Sequence, residues 1–308
     1  MMDIPSALPD LRVLRQFVAV AESGSFRRAA DMLHMSQPPL SVAMHKLEAQ
    51  LDVRLFERSP AGIRLTEPGA VLLKEATLLL AQARRSVELT QATARGEVGE
   101  VRIAFITSAM VSFLPEVLGR FSAEYPDVRL RLVEGVSVDV AGLVSSGRAD
   151  VGLLSPPVEL AAGVDSETVL VDRLCAVLPD DHPLASRRSI PLSALARERF
   201  VSYSADRVPA FHQRIVGACI EAGFQPSIVQ EAAHIYTIMA LVAGRLGVAL
   251  IPGSAAASGH RGVVQVPIAG NSRLLETRID VVHPRSGASA AVANFLSHCR
   301  RSSGASLL

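Results

Sequence analysis

Residues 17–48 read FVAVAESGSFRRAADMLHMSQPPLSVAMHKLE. Phe17, Val20, Ala21, Phe26, Ala29, Ala30 and Leu33 recur at the three- and four-residue spacing of buried helix faces, which predicts two short packed helices. Gly24 and Ser25 separate them, since Gly tolerates positive φ and Ser can cap. A further turn through Leu33 and His34 leads to Ser36, the expected N-cap of a third helix. Pro38 follows near the first helical position, where a missing N–H costs little. On that helix Leu40, Met44 and Leu47 face inward, and Ser36, Gln37, Ser41, His45 and Lys46 are left for solvent or a partner. The pattern is a helix-turn-helix whose exposed helix suits a DNA major groove.

Working outward, residues 9–66 read as one helical unit with a wing. Leu55 and Phe56 are expected to end a helical region, Glu57 to Gly62 to turn, and Ile63 to Leu65 to return extended. Thr66 reads as the cap of a long helix running to about Arg95 and closed by Gly96. Along it Leu72, Ala76, Leu79, Ala83 and Thr90 form a coiled-coil-like seam. Such a seam can pack on its own domain or on a second copy. A helix of this length at a domain boundary favours the second copy, so residues 67–96 are expected to be a linker and dimerisation helix.

From Glu100 onward strands alternate with helices. Strands are expected at 101–106, 128–133, 151–154, 167–178, 200–203, 227–231, 248–251 and 277–283, and helices at 113–125, 139–146, 209–222, 236–244 and 290–299. Alternation of this kind predicts parallel βαβ units. They divide into two α/β subdomains, about 97–163 with 268–308 and about 164–267. Small ligands bind in the cleft of such a pair, at the carboxyl ends of strands.

Composition sets limits rather than a partner. The chain has 308 residues, 49% of them hydrophobic, and a net charge of +1. Its first 95 residues carry twelve basic against ten acidic side chains, a weak signal for DNA. No run of about eighteen apolar residues predicts a membrane span. MMDIPSALPDL lacks a basic start followed by an apolar run, so no secretion signal is expected and the cytoplasm is the expected location. Cys175, Cys219 and Cys299 are too widely spaced for a zinc site and read as plain buried thiols. The eight histidines show no metal-ligand spacing, and neither a GxSxG elbow nor a phosphate loop occurs. No catalytic residue, metal or cofactor is therefore expected. A solute-binding or enzymatic α/β protein would share the cleft, but the helix-turn-helix stretch argues against both.

The chain resembles the LysR-type transcriptional regulators over essentially its whole length. The resemblance is carried by residues 17–58, by LTEPG at 65–69, and by FLPEVLGRFSAEYPDV at 113–128. GRADVGLL at 147–154 and GRLGVALIP at 244–252 add to it. It implies an N-terminal winged helix-turn-helix, a long linker helix used in homodimers, and a periplasmic-binding-protein-like effector domain of two Rossmann-like subdomains. It also implies homotetramers, double-stranded promoter DNA and a small-molecule effector as partners, and contact with RNA polymerase during activation.

Gln37 can offer a donor and an acceptor to an adenine edge, Ser36 and Ser41 can bond bases or phosphates, and Pro39 can pack on a thymine methyl. Arg27, Arg28, His45, Lys46 and the wing residues Arg58 and Arg64 are candidate phosphate contacts. Val42 and Ala43 stand where relatives often carry a basic or polar pair, which thins direct base readout and leaves more to DNA shape. In the effector domain Thr107 and Ser108 fall where a strand gives way to a helix, a place suited to a carboxylate, and Ser137 occupies the matching place after the next strand. Tyr203 to Phe211 supplies the opposite wall. The effector domain is most similar to regulators of aromatic-compound catabolism that sense muconate- or benzoate-type acids. That similarity implies effector contacts at Ser108, Ser137, Pro209 and Phe211, with Ala109 and Leu114 as apolar wall. Ser155-Pro156-Pro157 replaces the arginine of some relatives' secondary benzoate site, so a second site of that kind is not expected.

Overall fold

The computed structural model describes residues 8–59 and 62–303. The chain divides into two compact units, one up to Gln91 and one from Ala92.

The first unit begins with α1 (Leu11–Ser23), α2 (Phe26–Met32) and α3 (Gln37–Leu51). Gly24 ends α1 with φ of 61°, and the Ser25 hydroxyl caps α2 by accepting the Arg28 N–H at 3.4 Å. His34 makes the turn into α3 with φ of 51°. Phe17, Val20, Ala29, Ala30, Leu40, Met44 and Leu47 are buried together, as their spacing predicts, while Phe26 and Leu33 lie at the edge of that core and Ala21 is only half-buried. The wing differs from expectation. Leu55 and Phe56 do not end a helix: α3 stops at Leu51, where Asp52 turns left-handed, and Phe56 opens β1 (Phe56–Ser59). The Glu48 carboxylate accepts the N–H groups of Leu55 and Phe56 at 2.8 and 3.2 Å and so ties the strand to α3. β1 pairs antiparallel with β2 (Gly62–Leu65); Pro60 and Ala61, at the expected turn, lie outside the described residues.

Thr66 caps α4 (Glu67–Arg95) by accepting the Gly69 N–H at 3.0 Å, and its own hydroxyl donates to the Arg54 carbonyl at 2.7 Å. A Cβ on Gly69 would lie 2.1 Å from the Leu55 carbonyl oxygen, so the helix can lie against the wing strand only without a side chain there. The seam splits along its length. Ala76 is buried and Leu72 half-buried in the core of this unit, whereas Leu79 is 54% exposed.

In the second unit, β3 (Gly99–Phe105) leads through α5 (Thr107–Ser112) and α6 (Leu114–Glu124) to β4 (Val128–Glu134). Next come α7 (Ser137–Ser145), β5 (Val151–Leu154) and the long β6 (Val164–Pro179). A short β7 (Ile190–Pro191) and a 3-10 turn precede β8 (Arg199–Tyr203), α8 (Pro209–Glu221), β9 (Ser227–Ala232) and α9 (Ile235–Ala243). β10 (Ala249–Pro252), α10 (Gly253–Ala256), β11 (Val263–Ala269), a second 3-10 turn, β12 (Glu276–Pro284) and α11 (Ala290–Ser303) complete it.

β3 pairs parallel with β4 and β5, and β8 parallel with β9, as βαβ units require. β6 joins two cores. From Val164 to Arg173 it pairs with β12; from Leu174 to Pro179 it pairs with β10 and β11. One buried cluster therefore lies under β3, β5 and the first half of β6, and a second under the other half with α8 and α9. The expected helix at 113–125 is α6, and a short helix that the sequence reading did not include, α5, precedes it, the two separated at Phe113, whose φ of −122° departs from helical geometry. β11 has no counterpart in the sequence reading.

Two polar clamps hold the first core. Asp150 of GRADVGLL accepts the Arg102 backbone N–H at 2.8 Å and two guanidinium N–H groups at 3.1 and 2.5 Å. Burial alone would raise the Asp150 pKa; the bonds from Arg102 outweigh it and hold the carboxyl below its ordinary range. In the crossover, Asp280 is buried and accepts the hydroxyls of Ser166 and Thr168 at 3.1 and 2.8 Å. All three cysteines are buried and reduced, and burial pushes each thiol up to about 12. That favours plain interior thiols over reactive ones.

Candidate DNA-reading helix and effector cleft

α3 presents the first site. Ser36 precedes the helix with its side chain making no cap bond, and Gln37 begins it; both are exposed, as are Pro38 and Pro39. Their polar atoms are left free because the cap is formed by chain geometry and Pro38, with no side-chain oxygen. Ser41 is half-buried, and Val42 beside it is 53% exposed. Ala43 packs against the core of this unit, which explains a small residue there. His45 and Lys46 are exposed one turn on, with His45 Nδ1 at 3.6 Å from Glu48. Arg27 and Arg64 are exposed on α2 and β2. Arg28 is exposed as well, and one of its guanidinium nitrogens donates to the Ser23 carbonyl at the end of α1. The Arg58 side chain lies outside the described residues.

The second site is a cleft between the two cores of the second unit, enclosing about 430 Å³ with the open solvent at its mouth included. Thr107, Ser108, Ser137, Tyr203 and Phe211 all line it. The structure places three expected residues elsewhere. Ala109 and Leu114 are fully buried in the first core, because α5 and α6 turn those faces inward. Pro209 is exposed at the start of α8, and Val208 reaches the cleft in its place. Sequence reasoning missed His234 and Ile235 at the start of α9, Pro252 at the end of β10 and Ser155 after β5. The strand-to-helix rule that found Thr107 and Ser137 would also have found His234 and Ile235.

The cleft has no arginine or lysine among its lining residues. What it offers an anion is the start of α7 at Ser137 and the start of α9 at Ile235, each with N–H groups that the helix itself cannot use. Beside them is the Ser108 hydroxyl, which makes no hydrogen bond among the described residues. Ser137 is committed: its hydroxyl donates to the Ser155 carbonyl and accepts the Ser155 N–H, both at 3.1 Å. Tyr203 and Phe211 pack with ring centroids 4.7 Å apart and form an aromatic wall. Burial drives the Tyr203 phenol pKa upward, so it stays a neutral donor. At the mouth Thr107 donates to the Glu134 carboxylate. With that proton committed, the 3.3 Å contact to His234 Nδ1 requires the ring to donate.

Residues 94–304 match the LysR substrate binding domain, and residues 11–70 match the bacterial regulatory helix-turn-helix of the lysR family. The chain belongs to the LysR family of transcriptional regulators. It is 35% identical over 246 residues to the HTH-type transcriptional regulator AlsR of Bacillus subtilis (strain 168), covering 80% of this chain and 81% of AlsR. It is 38% identical over 267 residues to the Hca operon transcriptional activator HcaR of Escherichia coli (strain K12), covering 85% and 88%. The crystal structure of the LysR family regulator CbnR superposes with a TM-score of 0.87 at 27% identity, over 95% of this chain and 100% of CbnR. Full-length CbnR complexed with its target DNA superposes with a TM-score of 0.83, over 96% and 100%.

This LysR-family protein is thus a DNA-binding transcriptional regulator with an effector-binding domain, and regulators of this family form oligomers. No helix among the described residues is long and apolar enough to cross a membrane. The solute-binding and enzymatic alternatives are not favoured, since the relatives are regulators.

Proposed function

We propose that this regulator reads its operator with the start of α3 and responds to a small carboxylic acid, aromatic in its preferred form, bound in the cleft. The observation that carries the effector reading is the convergence on one cavity of two helix starts, the uncommitted Ser108 hydroxyl and the Tyr203–Phe211 wall. Helix N-termini favour a carboxylate without a neutralising cation, and paired rings favour a flat apolar body. The similarity to aromatic-catabolism regulators supports the same choice.

For DNA, Gln37 reads a base edge, Ser36, Pro39 and Ser41 lie beside it, and Arg27, Arg28, His45, Lys46, Arg58 and Arg64 hold phosphates. Residues 9–66 form the reading unit, 67–96 the pairing helix and 97–308 the effector unit. Leu78, Leu79 and Val87, each more than half exposed on α4, supply apolar surface for a second copy. Two dimers then form a homotetramer that works in the cytoplasm and touches RNA polymerase when it activates. An effector that prefers one angle between the subdomains shifts the population of tetramer shapes, and with it the bend of bound DNA.

The test is a genomic-fragment binding selection with purified protein, followed by footprinting of the best fragment with and without benzoate and muconate. Protection of an inverted repeat that shortens or shifts with an acid is the expected result. Protection insensitive to every acid overturns the effector class, and an unchanged bend angle on effector binding overturns the hinge mechanism.

A further inference from the structure

A groove of about 900 Å³, open solvent included, shares no lining residue with the effector cleft but is lined by Thr277, whose hydroxyl meets that of the cleft residue Ser155. It is lined by three arginines from three elements: Arg214 of α8, Arg273 of the second 3-10 turn and Arg278 of β12. We propose that this groove binds a phosphate group, free or carried by a small organic ester, and is a site separate from the effector cleft.

Two of the guanidiniums are already anchored by a single nitrogen. Arg214 Nη1 donates to the Glu276 carbonyl at 2.6 Å, and Arg278 Nε donates to Asp280 at 3.1 Å. Asp280 is buried and also holds Ser166 and Thr168, so it is a fixed post for Arg278. A guanidinium anchored in this way has lost part of its side-chain freedom, yet keeps its other N–H groups for a ligand. Arg273 makes no ion pair among the described residues.

The number of donors decides the ligand class. One guanidinium fork satisfies both oxygens of a carboxylate. A phosphate group presents three or more acceptor oxygens and a charge near −2, which calls for several forks from different directions. Glu276 is the one acid lining the groove, against three arginines. Pro156, Pro157 and the 53% exposed Val171 add apolar surface for an organic remainder.

The groove also shares a wall with the cleft. The Thr277 hydroxyl, on the groove side, lies 3.3 Å from the Ser155 hydroxyl, and the Ser155 backbone is held by Ser137 inside the cleft. An ion that draws Arg278 and Arg214 together pulls on β12 at Thr277. By linkage, any effect of that ion on effector affinity is matched by an equal effect of effector on the ion.

The test is calorimetric titration of the full-length protein, in phosphate-free buffer, with inorganic phosphate, phenyl phosphate and benzoate. Saturable binding of one or both phosphates is expected, with Arg214→Gln and Arg273→Gln each weakening it about tenfold or more. Glu276→Gln should tighten it, a change that mere misfolding would not produce. Binding should weaken as pH falls through about 6, where the phosphate dianion takes a proton. Tighter phenyl phosphate marks an organic ester, and tighter inorganic phosphate marks the free ion. No phosphate binding, or unchanged affinity in both arginine variants, overturns the site. Benzoate binding that is as tight as phenyl phosphate and equally sensitive to the arginines overturns the phosphate assignment.

Discussion

Arg207 Nη2 lies 2.9 Å from Asp139 Oδ2 and ties the loop before α8 to the first turn of α7. The two residues belong to opposite walls of the effector cleft, since α7 enters it at Ser137 and the loop enters it at Val208. Both side chains are substantially exposed, at 61% and 45%, so the pair adds little to folding. Its consequence is local, because it holds the walls at one separation.

Replacing Arg207 by Gln should leave thermal stability within about 1 kcal/mol of the parent. Effector should dissociate several-fold faster from the variant. Stopped-flow measurement of effector release decides the point, and an unchanged rate removes the pair from the control of the cleft.

Ser108 and Ser137 look alike in sequence but are set apart by their partners. Ser137→Ala removes both bonds to the Ser155 backbone and should cost about 1–2 kcal/mol in a urea unfolding experiment. Ser108→Ala removes no bond among the described residues, so its stability should stay within about 0.5 kcal/mol while effector affinity falls.

At the DNA end, Gln37→Ala should reduce discrimination between operator and scrambled duplex by about 1–3 kcal/mol. Gln37 is exposed at the first position of α3, so the melting curve should not move. Lys46→Ala should weaken both duplexes alike and flatten the salt dependence. Fluorescence anisotropy at several salt concentrations separates the two behaviours.

Asp150 contributes to acid sensitivity. Its folded pKa lies below the unfolded value of about 3.9, so the Arg102 clamp is complete above that pH. Its contribution is lost as pH falls through the folded pKa. Asp150→Asn should therefore lose stability at neutral pH and show a shallower decline below about pH 4 than the parent. Thermal melts between neutral and acid pH check both features.

The sequence by itself determined what depends on near neighbours. Gly24, Ser25, Thr66 and Gly96 mark helix ends because capping is settled within a few residues. The face of α3 carrying Leu40, Met44 and Leu47 follows from helical spacing. Most of the alternation of strands and helices follows in the same way, though not β11 or the short α5, β7 and α10, and Thr107, Ser108 and Ser137 are legible because a strand-to-helix junction is local.

Only the tertiary structure decided what distant pairings control. The seam on α4 divides between Ala76, buried in the core of its own unit, and Leu79, left exposed beyond that core. β6 serves two cores because β12 covers one half and β10 and β11 the other. Val208 lines the cleft in place of Pro209, and Ala109 and Leu114 turn away from it, since a helix shows one face to a cavity and the opposite one to a core. The arginine groove joins residues 156 to 278 of the chain, a juxtaposition set by sheet register and written in no local pattern.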